Sequence, residues 1–285
     1  MIIGYGPLPQ SGMKYMSAPS LRTRHFLKPI LDAGHTVDLY LLPLPGTEGR
    51  EGEVSAMVPD SYEGLALQRF TNHSGEFAIQ TLTKQARQHE PDAVVGVNTY
   101  PSYVASMLAT TIPVWGDLNG YWMAETQGRC RLDRNDERLT GSWAIERAIV
   151  RRVDQFSAVS RPQLHAVLGE MAATGRLNCH TFDYQFGHHV PNAVYRWDDI
   201  MIEDRDDRKE PVLRGPVVPA DAFLVLWSGG FNVWCDVETM VRAMDLLMAG
   251  YPDVHFVTTG GPIEGVVTET YQKYLDLVDA SPHKD

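Results

Sequence analysis

Short apolar segments alternate with longer segments of helical periodicity along most of the chain. The run from Ala93 to Val97 is almost entirely apolar, as is typical of a parallel strand that is buried on both faces. The segment from Glu137 to Val153 keeps its apolar residues on one helical side. Gly34 follows a helical segment from about Ser20 to Ala33, where a left-handed residue commonly ends a helix. The alternation predicts an α/β fold with βαβ units, in which helices cover both faces of a Rossmann-like parallel sheet.

The other elements of this first region follow from the same reasoning. Pro29 lies inside the first helical segment and predicts a kink or a restart there. The region from Thr47 to Asn72 is polar and gives no clear pattern. The further predicted strands are Ile2 to Tyr5, Val37 to Leu42, Ile112 to Trp115 and Phe156 to Ser160, and the further predicted helices are Phe77 to Gln88, one that ends near Met107 to Ala109, and Gln163 to Ala173.

The pattern stops and then starts again in the last third of the chain. Residues Asp198 to Glu210 are dense in charge and are followed by three prolines, which is typical of a linker. A strand from Phe223 to Trp227, a helix from Asp236 to Met248 and a strand from Val254 to Thr258 then form one βαβ unit. We predict a first domain over residues 1–192, a linker over 193–220 and the beginning of a second domain over 221–285.

Two strands are too few for a stable domain of this type, so we expect the natural chain to continue beyond Asp285. The alternative is that the last two strands extend the first sheet.

Composition and charge exclude several classes of protein. Hydrophobic residues make up 44% of the chain and charged residues 21%, which is close to the average for globular proteins. A net charge of -11 argues against nucleic-acid binding. The cysteines Cys130, Cys179 and Cys235 are scattered, which favours free thiols in a reducing compartment. No apolar run has the length of a membrane span and no basic leader precedes Ile2, so we predict a cytoplasmic protein, with peripheral membrane contact left open.

A glycine-rich loop follows the first predicted strand, from Gly6 to Gly12. Glycines there let the backbone approach a ligand closely, although a plain surface turn explains the same residues. The loop does not have the GxGxxG spacing, and no acidic residue follows the second strand at Leu42. These two absences disfavour a nicotinamide dinucleotide site.

A polar segment follows a hydrophobic strand between Trp115 and Trp122. Asp117 there is a candidate to accept a hydrogen bond or a proton, and Tyr121 and Trp122 offer flat faces to a sugar ring. The alternative is that Asp117 only caps the next turn.

Two further glycine loops follow the two strands of the last βαβ unit. They are Ser228-Gly229-Gly230-Phe231-Asn232 and Thr258-Thr259-Gly260-Gly261-Pro262. Amide groups of such turns can bind a diphosphate, although tight turns are common in any α/β protein. The candidate diphosphate-binding residues are Gly229, Gly230, Asn232, Gly260 and Gly261.

Two charged segments have simpler interpretations. His188 and His189 are adjacent and would face opposite sides of a strand, so a metal site with His180 and Asp183 is disfavoured. The charges from Arg129 to Arg138 predict a solvated loop.

Taken in order, four motifs resemble those of a GT-B glycosyltransferase of the large retaining group 1, or family 4, type. The first motif is Pro7-Leu8-Pro9 with Gly12 and Ser20-Leu21-Arg22, and the second is Gly34-His35-Thr36-Val37. The third is Val190-Pro191-Asn192-Ala193-Val194. The fourth is Trp227-Ser228-Gly229-Gly230 with Asp236, together with Thr258-Thr259-Gly260-Gly261-Pro262. The match covers nearly the whole chain. Two features depart from the family: the loop from Phe231 to Asp236 has no cation, and the late glutamate pair of the donor domain is not in this sequence.

The resemblance implies transfer of a sugar from a nucleoside diphosphate sugar to a glycan, lipid or small-molecule acceptor. It implies acceptor contacts near Gly12, Asn98 and Asn119, Asp117 near the reacting centre, and no bound metal or cofactor. The alternatives are another GT-B enzyme such as a sugar-nucleotide epimerase, and a non-catalytic nucleotide- or sugar-binding protein.

Overall fold

The computed structural model describes residues 1–9, 17–44, 61–62, 65–69, 75–193, 212–261 and 269–284. Gly12 and Pro262, both named above, lie outside the described residues. The chain divides into two compact units, Met1–Ile202 and Glu203–Asp285. The boundary between these units falls inside the predicted linker.

The first unit is built on an eight-stranded sheet in the order β3-β4-β2-β1-β5-β6-β7-β8. All neighbouring strands are parallel except β3 and β4. The strands are β1 (Ile2–Tyr5), β2 (Leu39–Leu42), β3 (Ser61–Tyr62), β4 (Leu65–Arg69), β5 (Val94–Val97), β6 (Val114–Leu118), β7 (Gln155–Ala158) and β8 (Gly187–His189). Strand order reverses between β1 and β5, and in open α/β sheets this switch point is where ligands bind, beyond the carboxyl ends of the strands.

Helices cover both faces of this sheet. They are α1 (Ala18–Asp32), α2 (Gly75–His89), α3 (Thr99–Ser106), α4 (Trp122–Asp133), α5 (Glu137–Arg152) and α6 (Arg161–Ala173). Neighbouring side chains of a strand point to opposite faces. Accordingly, Ile2 packs with Phe26 and Leu27 of α1, whereas Ile3 belongs to a second cluster with Leu82 and Ile149 from helices on the other face.

Of the two effects predicted for Pro29, a kink or a restart of the helix, the restart does not occur in α1. Pro29 does not interrupt it, and the helix is continuous from Ala18 to Asp32. Its buried residues Phe26 and Leu27 hold it against the sheet, which offsets the hydrogen bond that Pro29 cannot donate. The predicted end is confirmed, because Gly34 has a φ of 83° and its N–H donates to the Leu31 carbonyl.

The second unit contains a separate two-stranded parallel sheet in its described part. β9 (Phe223–Trp227) pairs with β10 (Val254–Thr258). The helices α7 (Val237–Gly250) and α8 (Glu269–Ala280) accompany these strands, and α8 was not predicted. The core of this unit is small and centres on the fully buried Phe231, which stacks on Tyr274. The predicted α/β class with a Rossmann-like parallel sheet is confirmed.

Candidate functional site

Asp117 lies at the carboxyl end of β6 and is fully buried. Both of its oxygens accept hydrogen bonds from Arg22, at 2.8 and 3.0 Å, and Oδ1 also accepts one from Ser157 at 2.6 Å. A carboxylate with these partners and no exposed surface has no free oxygen to offer a substrate. The geometry therefore argues against the predicted role of Asp117 at the reacting centre and gives it the role of holding Arg22.

Arg22 uses its remaining donors to bind the chain segment that follows β8. Nη2 donates to the Val190 carbonyl at 2.8 Å, and Nη1 donates to the Pro191 carbonyl at 2.9 Å and to Asn192 Oδ1 at 3.4 Å. Arg22 is only 2% exposed. The motifs around Arg22 and Val190, which are far apart in the sequence, thus meet in one buried network.

Asn98 and Asn119, both predicted to contact the acceptor, lie next to each other. Asn119 Nδ2 donates to Asn98 Oδ1 at 3.1 Å, and Asn98 Nδ2 donates to the Pro19 carbonyl at 3.1 Å. Asn98 has a φ of 76°, a conformation that costs a non-glycine residue about 1–3 kcal/mol. It follows β5 directly, so this backbone strain lies at the switch point of the sheet. Asn98 is buried and Asn119 is half-buried, so Asn119 is the member of the pair with exposed surface.

Beside Asn119, Glu125 offers a carboxylate that the sequence reasoning missed. Gly120 has a φ of 99°, and a Cβ at this position would overlap Glu125 Oε1, so the carboxylate lies directly against the loop that follows β6. Glu125 is half-buried, and desolvation raises the pKa of its carboxyl group. Among the described residues, no side chain donates a hydrogen bond to it. The position of Glu125 in the first turn of α4 indicates that it lies near the loop after β6. The sequence does not show that its side chain turns towards Gly120.

Two more glutamates join Glu125, and we call Glu125, Glu146 and Glu170 the carboxyl cluster. Glu146 is 1% exposed, and its Oε2 has no hydrogen-bond partner among the described residues. Desolvation, followed by the charges of Glu170 and Glu125, raises the pKa of Glu146 to about 8. Tyr121 donates a hydrogen bond to Glu170 Oε1 at 2.9 Å, while Glu170 Oε2 is buried and unpartnered within the described structure.

The two glycine loops of the second unit contact each other. A Cβ on Gly260 would overlap the carbonyl of Gly229, and the N–H of Phe231 donates to the Gly261 carbonyl at 3.4 Å. Gly229 and Gly230 precede Asn232, whose carbonyl accepts a hydrogen bond from the N–H of Cys235. The structure thus brings the predicted donor-side loops together.

The first helix of the second unit does not present a free N-terminus to an anion. Asp236 caps α7, and its carboxylate accepts hydrogen bonds from the N–H of Thr239 at 3.1 Å and from Thr239 Oγ1 at 2.8 Å. Asp236 is therefore the N-cap of α7. Because a carboxylate already occupies this helix end, a diphosphate at these loops would depend on the amides of the glycines.

The histidines near β8 have ordinary partners. His188 Nε2 lies 2.9 Å from Gln155 Oε1, and His189 Nε2 lies 3.1 Å from the Val159 carbonyl. In the described part of the chain, no group of three or more His, Cys, Asp or Glu residues is placed to hold a metal ion. None of the described helices is long and apolar enough to cross a membrane.

Comparison with known proteins gives structural relatives only. No family model matches the chain, and no curated protein matches it. The chain is similar to the Anabaena protein Alr3699/HepE, solved in complex with UDP and glucose, with 14% identity, a TM-score of 0.54, and coverage of 100% of this chain and 67% of that one. It is also similar to S. aureus MnaA bound to UDP, with 14% identity, a TM-score of 0.44, and coverage of 87% of this chain and 61% of that one. A third similar structure is the UDP-GlcNAc 2-epimerase of Methanocaldococcus jannaschii, with 14% identity, a TM-score of 0.47, and coverage of 98% of this chain and 68% of that one.

The similarity to HepE supports a GT-B type of fold for this chain. At 14% identity it shows the fold alone. The chain spans about three fifths of the S. aureus protein and two thirds of HepE.

Proposed function

We propose that this chain forms the acceptor side and part of the donor side of a glycosyltransferase that uses a nucleoside diphosphate sugar, with UDP as the nucleotide. The observation that carries the proposal is the alignment of the whole chain with a protein solved with UDP and glucose. The retaining group 1, or family 4, type remains the subgroup that we propose.

The acceptor would bind at the carboxyl ends of β5 and β6. There Asn119 offers a polar side chain beside the strained Asn98. Glu125 offers carboxylate oxygens to which no described side chain donates a hydrogen bond. The predicted acceptor contact at Gly12 lies outside the described residues. In this arrangement Asp117 acts indirectly, since it holds Arg22.

The donor diphosphate would bind the glycine loops of the second unit through backbone amides, at Gly229, Gly230, Asn232, Gly260 and Gly261. In the transfer step the acceptor oxygen would form a bond to the anomeric carbon while the bond from that carbon to the diphosphate oxygen breaks. UDP would leave with the electron pair, and the proton of the acceptor hydroxyl would pass to the leaving diphosphate oxygen. Amides directed at the leaving diphosphate would stabilise the developing charge without a metal ion or cofactor.

A calorimetric titration of the chain with UDP tests this proposal. Gly261 has open space where a Cβ would be, so Gly261→Ala keeps the fold but places a methyl group over the proposed diphosphate site. We expect UDP affinity to fall by about tenfold or more in this variant, the effect of losing one hydrogen bond to a charged group.

Gly250→Ala is the matched control, because Gly250 also has open space around it and lies at the end of α7. UDP affinity should not change in this variant. Absence of UDP binding to the parent chain would refute the proposal.

A sugar-nucleotide epimerase is the second candidate, because the unpartnered carboxylate of Glu125 also suits proton transfer at a carbon atom. Product analysis of the chain with UDP-sugars and a panel of acceptors separates the candidates. A glycosylated acceptor with free UDP supports the transferase, an epimerised sugar supports the epimerase, and UDP binding with neither product supports a non-catalytic binding protein.

A further inference from the structure

The carboxyl cluster contains more hydrogen-bond acceptors than the described residues around it can satisfy. Glu146 Oε2 and Glu170 Oε2 are buried without a partner, and the carboxylate of Glu125 receives no side-chain donor within the described structure. Tyr121 supplies one hydroxyl donor, to Glu170. When these carboxyl groups are ionised, a ligand that complements the cluster must therefore bring N–H or O–H groups of its own.

Within the described structure, no cationic side chain acts on Glu146, the most buried member of the cluster, to offset its charge when it is ionised. The helix α5, which carries Glu146, packs against α3, α4 and α6. The charged groups that act on Glu146 from these helices are Glu125 of α4 and Glu170 of α6, and α3 contains no charged residue. Buried carboxylates without a cation are unfavourable, so a positive ligand would be attracted.

A metal ion does not fit this arrangement, because the described carboxylates do not converge as metal ligands. An ammonium group does fit, since it combines three N–H donors with one positive charge. Glu125 and Glu170 are both half-buried. Glu125 is the one that lies against Gly120, in the loop at the carboxyl end of β6, and it receives no side-chain donor within the described structure, so we take it as the direct contact.

We propose that the carboxyl cluster binds the protonated amino group of a ligand, with Glu125 in direct contact and Glu146 and Glu170 adding negative charge. The identification of this ligand as an amine-bearing acceptor, such as an amino sugar, rests on the proposed function. The binding of the amine itself does not.

In the absence of a neighbouring cation, the carboxyl group of Glu146 is neutral because it holds a proton. Its carboxyl group, with a pKa of about 8, is mostly protonated at neutral pH. A bound ammonium group favours the ionised carboxylate and lowers that pKa. The proton then leaves Glu146 for the solvent, so binding should release up to about one proton per ligand.

Calorimetric titration of the full chain with glucosamine and glucose at about pH 6.5, where both the amine and Glu146 carry their protons, tests the proposal. Two buffers with different ionisation enthalpies measure the released proton. We expect glucosamine to bind about tenfold more tightly than glucose, the effect of one hydrogen bond to a charged group, and to release a proton.

Glu125→Gln should lower the affinity for glucosamine to that for glucose, with thermal unfolding compared to establish that the variant is folded. Glu137→Gln is the matched control, because Glu137 is an exposed glutamate in the first turn of α5, and it should leave both affinities unchanged. Equal affinities for the two sugars, no sugar binding, or unchanged glucosamine affinity in a folded Glu125→Gln variant would each overturn the proposal.

The UDP titration separates this proposal from the proposed function. UDP binding without a preference for the amine overturns the amine site alone. A preference for the amine without UDP binding overturns the proposed function and leaves the amine site in place.

Discussion

At the scale of single residues, Arg22 links α1, β6 and the segment after β8 through a closed chain of contacts. Its guanidinium group lies 5.0 Å from the centre of the Phe26 ring, which meets Trp115 edge-on. Trp115 Nε1 donates to Ser157 Oγ at 3.2 Å, and that hydroxyl donates to Asp117, the partner of Arg22. Because each of these contacts positions the next, we expect the loss of Arg22 to weaken the other contacts of this network.

We expect Arg22→Ala to lower the free energy of unfolding by about 3–5 kcal/mol, because it leaves the fully buried Asp117 without its cation. Urea denaturation followed by circular dichroism measures this loss. Lys28→Ala is the control, since Lys28 pairs with Asp32 on the exposed side of the same helix, and the cost there should be about 0.5 kcal/mol or less. A loss for Arg22→Ala as small as that of the control would contradict a supporting role for the Arg22–Asp117 pair.

The sequence indicates that some of the candidate residues lie close together but does not indicate the partners of others, for a physical reason. Asn98 and Asn119 follow neighbouring parallel strands, and the ends of such strands meet at one edge of the sheet, so their proximity was predictable. The partner of Asp117 was not, because Arg22 lies 95 positions earlier and the pattern around Asp117 does not indicate which cation reaches it. For the same reason, the half-buried Glu125 was overlooked.

At the scale of elements, helix ends were predicted best where the residue type at the cap position decides them. Gly34 and Asp236 occupy the cap positions that their residue types favour. The segment from Arg129 to Arg138 was predicted as a loop, but α4 continues to Asp133, and Asp133 pairs with Arg129 and Arg138. Charge density alone does not distinguish a solvated helix end from a loop. The strands β3 and β4 were missed inside a polar region that has no alternating pattern.

Two glycine substitutions should change stability in opposite directions. Gly34→Ala places a Cβ on a residue with a φ of 83° and should cost about 1 kcal/mol, although nothing lies within contact distance. Gly169→Ala is the matched change inside α6, where the same open space combines with helical backbone, and it should add about 0.5–1 kcal/mol. The midpoints of urea unfolding measure both effects. A gain in stability for Gly34→Ala would rule out the left-handed cap.

At the scale of the whole molecule, the two units differ in how much core they contain. The first has two extensive apolar clusters on the two faces of its sheet, whereas the described core of the second is a small aromatic group around Phe231. The sequence predicted this difference, because the βαβ pattern repeats many times before the linker and once after it. The hydrophobic pattern does not predict the contacts of the segment that follows β8, because these contacts are made by the buried Arg22.

Truncated chains test how far the segment after β8 depends on Arg22. A fragment that ends at Ile202, the limit of the first unit, keeps the acceptors that Val190, Pro191 and Asn192 offer to Arg22. A fragment that ends at His189 retains every strand of the sheet but removes these acceptors. It also removes the hydrogen bond from the N–H of Val190 to the Ala158 carbonyl.

We expect the shorter fragment to be less stable by about 3 kcal/mol or more, because two hydrogen-bond donors of a buried guanidinium group then lack partners. Urea denaturation of both fragments measures the difference. Introducing Arg22→Ala into both fragments provides the decisive control, since the difference between them should then become much smaller. If the His189 fragment remained equally destabilised without Arg22, the strand contacts of Val190, and not the arginine, would be what holds this segment in place.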